Sequence, residues 1–109
     1  GAKPAETTFK GVIMPINNTR KTFSLGQTVM TRGIAELVNS GQLNPLIYLR
    51  RHAQGDWGDL SHDDKASNNQ ALKTGDRLLS CFKVTDSLKI YIITEWDRSA
   101  TTVLLPSEY

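Results

Sequence analysis

Leu88-Lys89-Ile90-Tyr91-Ile92-Ile93-Thr94 is the stretch on which the fold turns. Ile90 and Ile92 fall on one side of an extended chain and Tyr91 and Ile93 on the other, so both sides are apolar. A strand with two apolar faces belongs in the interior of a sheet, covered above and below. Before it, Arg77 to Val84 is a second β-type run, and Thr85-Asp86-Ser87 between them has the composition of a hairpin turn. After it, Thr101 to Leu105 makes a third strand, stopped by Pro106, which has no amide hydrogen to give to a ladder. The C-terminal third therefore reads as a three-strand antiparallel meander.

Upstream, the period lengthens to that of helices. Ser24 is read as an N-cap, with Gln27 as its capping-box partner. Val29, Met30, Gly33, Ile34, Leu37 and Val38 then recur at helical spacing until Gly41 stops the run. Gly33 costs about 1 kcal/mol against Ala inside a helix, so it is expected to mark a close contact. A second helix opens at Asn44-Pro45, runs through Leu46, Leu49 and Ala53, and ends at Gly55. A third runs from Ser61, with Asp64 as box partner, to about Lys73 and is closed by Gly75. Its few small apolar residues (Ala66, Ala71, Leu72) make it a solvated helix that packs lightly.

At the start, Thr8 to Met14 reads as a strand ended by Pro15, and residues 17–21 as a polar loop. Residues 1–7 read as disordered, and Gly1, in place of Met, as an expression scar with the natural start upstream. The expected architecture is one α+β domain over residues 1–109. It is ordered strand, three helices, antiparallel three-strand meander, with the helices on one face of the sheet. Val29, Ile34, Leu37, Val38, Leu49, Leu78, Ile90 and Ile92 are the expected core.

Composition narrows the function classes. At 109 residues, 39% hydrophobic and 22% charged, the chain suits a single small soluble core. A net charge of +2, from 13 Lys+Arg and 11 Asp+Glu, is low for a protein that relies on phosphate contacts. Arg20-Lys21 and Arg50-Arg51-His52 are short basic groups, so nucleic acid would need a local patch that the composition does not support. Cys81 alone allows no internal disulfide and no Cys-rich zinc site, and in its apolar stretch it reads as a buried structural thiol. No run approaches a membrane span. A cytoplasmic protein with no cofactor is expected.

Two clusters exceed what their turns require. His52-Ala53-Gln54-Gly55-Asp56-Trp57-Gly58-Asp59 places an imidazole and an indole among carboxylates and glycines. Trp57 could cap the core from this loop, with Asp56 and Asp59 bonding the turn and the next helix's amides. Alternatively it could wall a site holding His52, whose unperturbed pKa lies near neutrality. Glu95-Trp96-Asp97-Arg98-Ser99 is the second cluster. It is either a turn with a self-satisfied Asp97–Arg98 pair or part of a binding surface. The candidate binding residues are His52, Asp56, Trp57, Asp59, Glu95, Asp97, Arg98 and Ser99, on the expectation that the two loops meet. Arg98 would then have acceptors in Asp56, Asp59, Glu95 and Asp97, and a bidentate pair could fix its position. A Ser99–His52–Asp triad lacks a nucleophile elbow. His52, His62, Asp63 and Asp64 are weak metal candidates, because charge at the start of a helix explains the last three.

Arg51-His52-Ala53-Gln54-Gly55-Asp56-Trp57-Gly58 and Ile92 through Tyr109, ending Thr101-Thr102-Val103-Leu104-Leu105-Pro106-Ser107-Glu108-Tyr109, resemble a group of small proteins of bacterial plasmids and integrative elements. Some of these are described as plasmid-related and some as restriction subunits, a role too large for a chain this short. The resemblance covers roughly residues 44 to 109 and takes in Asn69, Ala71, Leu72, Gly75 and Arg77-Leu78-Leu79. It implies a bacterial mobile-element origin and no mechanism. The leading expectation is a non-enzymatic accessory protein that binds a protein partner through the 55–59 and 95–99 loops. The element order is also that of RelE/ParE-type toxins, in which case Arg50, Arg51, His52 and Arg98 would act on RNA. A small-molecule sensor with its pocket beside Trp57 and Trp96 is the third reading. Oligomeric state is not legible.

Overall fold

The computed structural model describes residues 12–13 and 22–109. The rest of the Thr8–Met14 strand, the 17–21 loop and the N-terminal tail lie outside them. The chain forms β1 (Val12–Ile13), β2 (Gln27–Met30), α1 (Arg32–Asn39), α2 (Pro45–Ala53), α3 (His62–Thr74), β3 (Leu78–Thr85), β4 (Leu88–Thr94) and β5 (Ala100–Leu104), with a 3-10 turn over Pro106–Glu108. The domain is α+β.

The meander is present: β3 pairs antiparallel with β4, and β4 with β5. The sheet continues beyond it, in the order β1-β2-β5-β4-β3, and is mixed because β2 lies parallel to β5. The expected helix from Ser24 is thus corrected in its first half. Gly26 has φ +63° and its Cα lies against the backbone of Arg98 and Ser99, where a Cβ would fall 2.3 Å from the Ser99 carbonyl oxygen. No α-helix passes through that conformation. Thr28 and Met30 instead alternate inward on an extended chain, opposite Thr101 and Val103. Ser24 accepts the Gly26 amide as a local turn, and the helix begins after Thr31.

The other two helices form as their caps dictate. Asn44 accepts the Leu46 amide with Pro45 at the first helical position, and Ser61 accepts the Asp64 amide, with Gly75 at φ +81° closing α3. On α3, Asn68 and Ala71 are the buried residues. One sheet face carries Leu78, Ser80 and Phe82, then Ile90, Ile92 and Thr94, then Thr101 and Val103, then Thr28 and Met30, all buried. Ile34 of α1 and Leu49 of α2 pack on it, and Ala71 of α3 packs on Leu78 beside Trp57. Of the expected core, Leu37 and Val38 are half-buried against this cluster. Val29 is half-buried on the opposite face.

The outer edge of β3 is covered from the Gly55–Asp59 loop and α3. Asn68 bonds both the amide and the carbonyl of Leu79, Trp57 and Asp59 backbones bond Cys81, and the Asp59 carboxylate accepts the Lys83 amide. Every outward backbone amide of β3 from Leu79 to Lys83 therefore has a partner. Gly58 makes this possible: at φ +76°, a Cβ there would fall 2.2 Å from the Cys81 carbonyl oxygen. Cys81 itself is half-buried on the face away from the helices, not sealed in the core as expected. Burial raises its thiol pKa.

Candidate functional site

His52 projects from the last turn of α2 onto the helix-covered face and is fully buried. Its Nδ1 meets the Ser80 hydroxyl and its Nε2 the Thr94 hydroxyl at 2.9 Å. Thr94 bonds Thr101 at 2.7 Å, and Thr101 donates to the Leu25 carbonyl at 2.7 Å. That terminal acceptor sets the direction of the whole chain. Thr101 spends its proton on Leu25, so Thr94 donates to Thr101 and accepts from Nε2–H of His52. Nδ1 then accepts from Ser80. The imidazole is neutral in one tautomer, and its pKa is lowered to about 3 by burial first and by the charge of Arg98 second.

Trp57 is 3% exposed and donates its indole N–H to Asn69 of α3. It caps the second hydrophobic cluster with Ala71, Leu78, Leu60 and Leu72, which is the first of the two roles the sequence allowed it. Asp56 forms a 2.7 Å ion pair with Arg51, which lowers the pKa of Asp56 and raises that of Arg51, and accepts the Gly58 amide. Asp59 closes the β3 edge.

The Gly55–Asp59 loop and the Glu95–Ser99 turn approach each other through a third residue, Phe23. Its ring stacks on Trp57 at 6.0 Å, meets His52 edge-on at 5.3 Å, and lies beneath the Arg98 guanidinium at 5.9 Å. Arg98 does not pair with the carboxylates expected for it. Its guanidinium donates to four backbone carbonyls: Ala71, Asp76, Glu95 and Trp96. The cause is its own backbone. Arg98 stands at φ +60°, which points its side chain away from Asp97 and across to the C-terminal end of α3, where carbonyls carry partial negative charge. Asp97 instead accepts the Ser99 amide, and its bonds to Ser99 hold its pKa low.

The same clamp leaves Trp96 outside. Its indole is 67% exposed, the most exposed large hydrophobic side chain among the described residues. The candidate binding residues did not include it, and the sequence placed it only beside the pocket of the sensor reading.

A second feature has no local signal in the sequence. On the face away from the helices, a concavity of about 540 Å³ is floored by Val29, Ile93 and Leu104 and walled by the chain's last residues. Glu108 accepts from the Thr31 hydroxyl and from the Gly33 and Leu105 amides, so it serves as the acidic cap that α1 lacks in its own first turn. Gly33 does mark the close contact expected of it: a Cβ would meet the Leu105 and Glu108 side chains. Tyr109 lies edge-on to Tyr91, and its hydroxyl accepts from Arg77 at 2.8 Å.

Among the described residues, no three His, Cys, Asp or Glu side chains are grouped to hold a metal ion, and no helix is long and apolar enough to cross a membrane. No protein-family model matches the chain, and no curated protein or solved structure matches it.

Proposed function

We propose that the protein is a non-enzymatic interaction module that presents the Glu95–Ser99 turn, with Trp96 at its tip, to a protein partner. The observation that carries this is the exposure of the Trp96 indole on a turn whose backbone is pinned by Arg98. Tryptophan is among the residues that most often dominate the energy of protein interfaces. An indole on a fixed support loses little conformational freedom when a partner covers it. The Gly55–Asp59 loop contributes from beneath, through Trp57 and Phe23, as the support of that turn.

Support for binding over RNA cleavage comes from His52, whose two ring nitrogens are bound inside the core. Support over a sensor pocket beside Trp57 comes from that ring's burial among Ala71, Leu78 and Phe23. A cytoplasmic bacterial mobile-element protein remains part of the proposal and rests on the resemblance described above.

The test is comparative capture from bacterial lysate with wild type and Trp96→Ala. A partner retained by wild type and lost by the variant, at equal melting temperature, supports the reading. A partner retained equally by both overturns it, as does growth arrest on induction that His52→Ala abolishes.

A further inference from the structure

The 3-10 turn Pro106–Glu108, with Tyr109 after it, is held differently from the other elements. None of the turn's residues is buried, whereas α1, α2 and α3 are anchored by Ile34, Leu49 and Ala71. It is attached at two points. Glu108 accepts from the Thr31 hydroxyl and, at 2.9 Å, from the Gly33 amide at the start of α1. Tyr109 lies edge-on to Tyr91 at 5.8 Å, and its hydroxyl accepts from Arg77. These hydrogen bonds are all exposed to water. With these attachments in place, Glu108 and Tyr109 wall the concavity over Val29, Ile93 and Leu104. The turn is also bonded within itself: the Glu108 amide donates to the Leu105 carbonyl, the Tyr109 amide to the Pro106 carbonyl, and the Leu105 amide to the Glu108 carboxylate. Leu105 packs on the main core cluster.

We infer that residues 106–109 are a latch that swings from Leu105, opening the concavity and uncapping α1 in one event. An element with no buried side chain, held by water-exposed bonds, opens at a free energy well below that of global unfolding. Its internal bonds make it move as a unit, so loss of one attachment weakens the other. Closed, Glu108 supplies the negative charge that the first turn of α1 lacks. Open, the Gly33 amide loses its acceptor, and Val29, Ile93 and Leu104 lose the wall that limits access to them. Access to the sheet face is thereby coupled to the order of α1, whose start lies 75 residues away along the chain. The coupling acts equally in both directions.

The experiment is native-state hydrogen exchange on the full chain, labelled with 15N and with 13C in the tyrosine rings. In wild type the Gly33 and Leu105 amides should exchange through an opening that depends only weakly on denaturant. Tyr109→Ala removes contacts made on the sheet, yet it should speed exchange at Gly33, on α1, about three-fold. Thr31→Val removes a bond made at α1, yet it should move the Tyr109 ring signals toward those of a free tyrosine. Ser40→Ala, at the other end of α1, should change neither signal. Gly33 exchange as steep in denaturant as global unfolding would make the turn a fixed wall. Gly33 exchange unmoved in Tyr109→Ala, or a Tyr109 ring unmoved in Thr31→Val, would make the attachments two separate contacts. Each of these results, or an equal response to Ser40→Ala, overturns the latch.

Discussion

The Nε2–H of His52 donates to the hydroxyl of Thr94, 42 residues further along the chain, inside a core closed to solvent. That bond lies in the middle of a one-way series from Ser80 to the Leu25 carbonyl, in which each member donates its proton to the next. Removing one link strands its neighbours. Thr94→Val, nearly isosteric, is expected to cost about 1–3 kcal/mol, because a buried N–H and the Thr101 hydroxyl each lose a partner. Chemical denaturation at neutral pH checks it.

The same imidazole makes stability depend on acid. His52 has a pKa of about 3 in the folded protein against an ordinary 6.5, so between these values the unfolded chain binds the extra proton. Stability is therefore full above about pH 6.5 and falls as the pH drops toward 3, by up to ~1.4 kcal/mol per pH unit from this group. Urea midpoints for wild type at pH 7.5 and 5 should differ accordingly, and His52→Asn should flatten the dependence.

Arg98→Ala is expected to lower stability by roughly 2–3 kcal/mol, since four carbonyl partners are left without their charged donor. Asp97→Ala, which removes one exposed turn bond, should change the melting temperature far less. Thermal melts of the two variants decide whether the guanidinium is the clamp.

Gly58→Ala introduces a Cβ against the Cys81 carbonyl at a backbone angle L-residues avoid. A loss of more than ~2 kcal/mol is expected, together with faster amide exchange at Cys81 as the edge opens. Gly75→Ala shares the positive φ but meets open space, so it should cost only ~1 kcal/mol.

How far the sequence spoke for itself depended on how local each signal was. The caps Asn44-Pro45 and Ser61, the Gly75 stop and the Thr85-Asp86-Ser87 turn act over two to four residues, and α2, α3 and the β3–β4 hairpin form where they point. β2 had no such signal. Its partner is β5, near the other end of the chain, and Val29-Met30 happen to continue the helical spacing of Gly33, Ile34, Leu37 and Val38. Only the tight passage of Gly26 against Ser99, a tertiary contact, excludes the helix. At the candidate site, the residue types at His52 and Arg98 were conspicuous, but their partners were not. Arg98 binds carbonyls, which every residue carries, and no composition encodes them. The hydrogen-bonded series through His52 left a faint trace: Ser80, Thr94 and Thr101 stand at inward strand positions otherwise held by Leu78, Phe82, Ile92 and Val103. A hydroxyl at an inward position asks for a buried partner: Ser80 and Thr94 find it in the imidazole, and Thr101 in Thr94 and the Leu25 carbonyl.

The parallel pairing of β2 with β5 also sets the order in which this molecule can assemble. β5 lies between β2 and β4, so the early and late parts of the sheet have no contact through the sheet until residues 100–104 exist. During synthesis the β3–β4 hairpin can form alone, while Thr28 and Met30 wait for β5, which follows β4 in the chain. Joining ends so far apart is slow, because the loop must close before any pairing rewards it. Nascent chains of this protein therefore spend their synthesis with half a sheet uncovered, and dependence on chaperones should fall on that interval, after β4 has emerged and before β5 has docked.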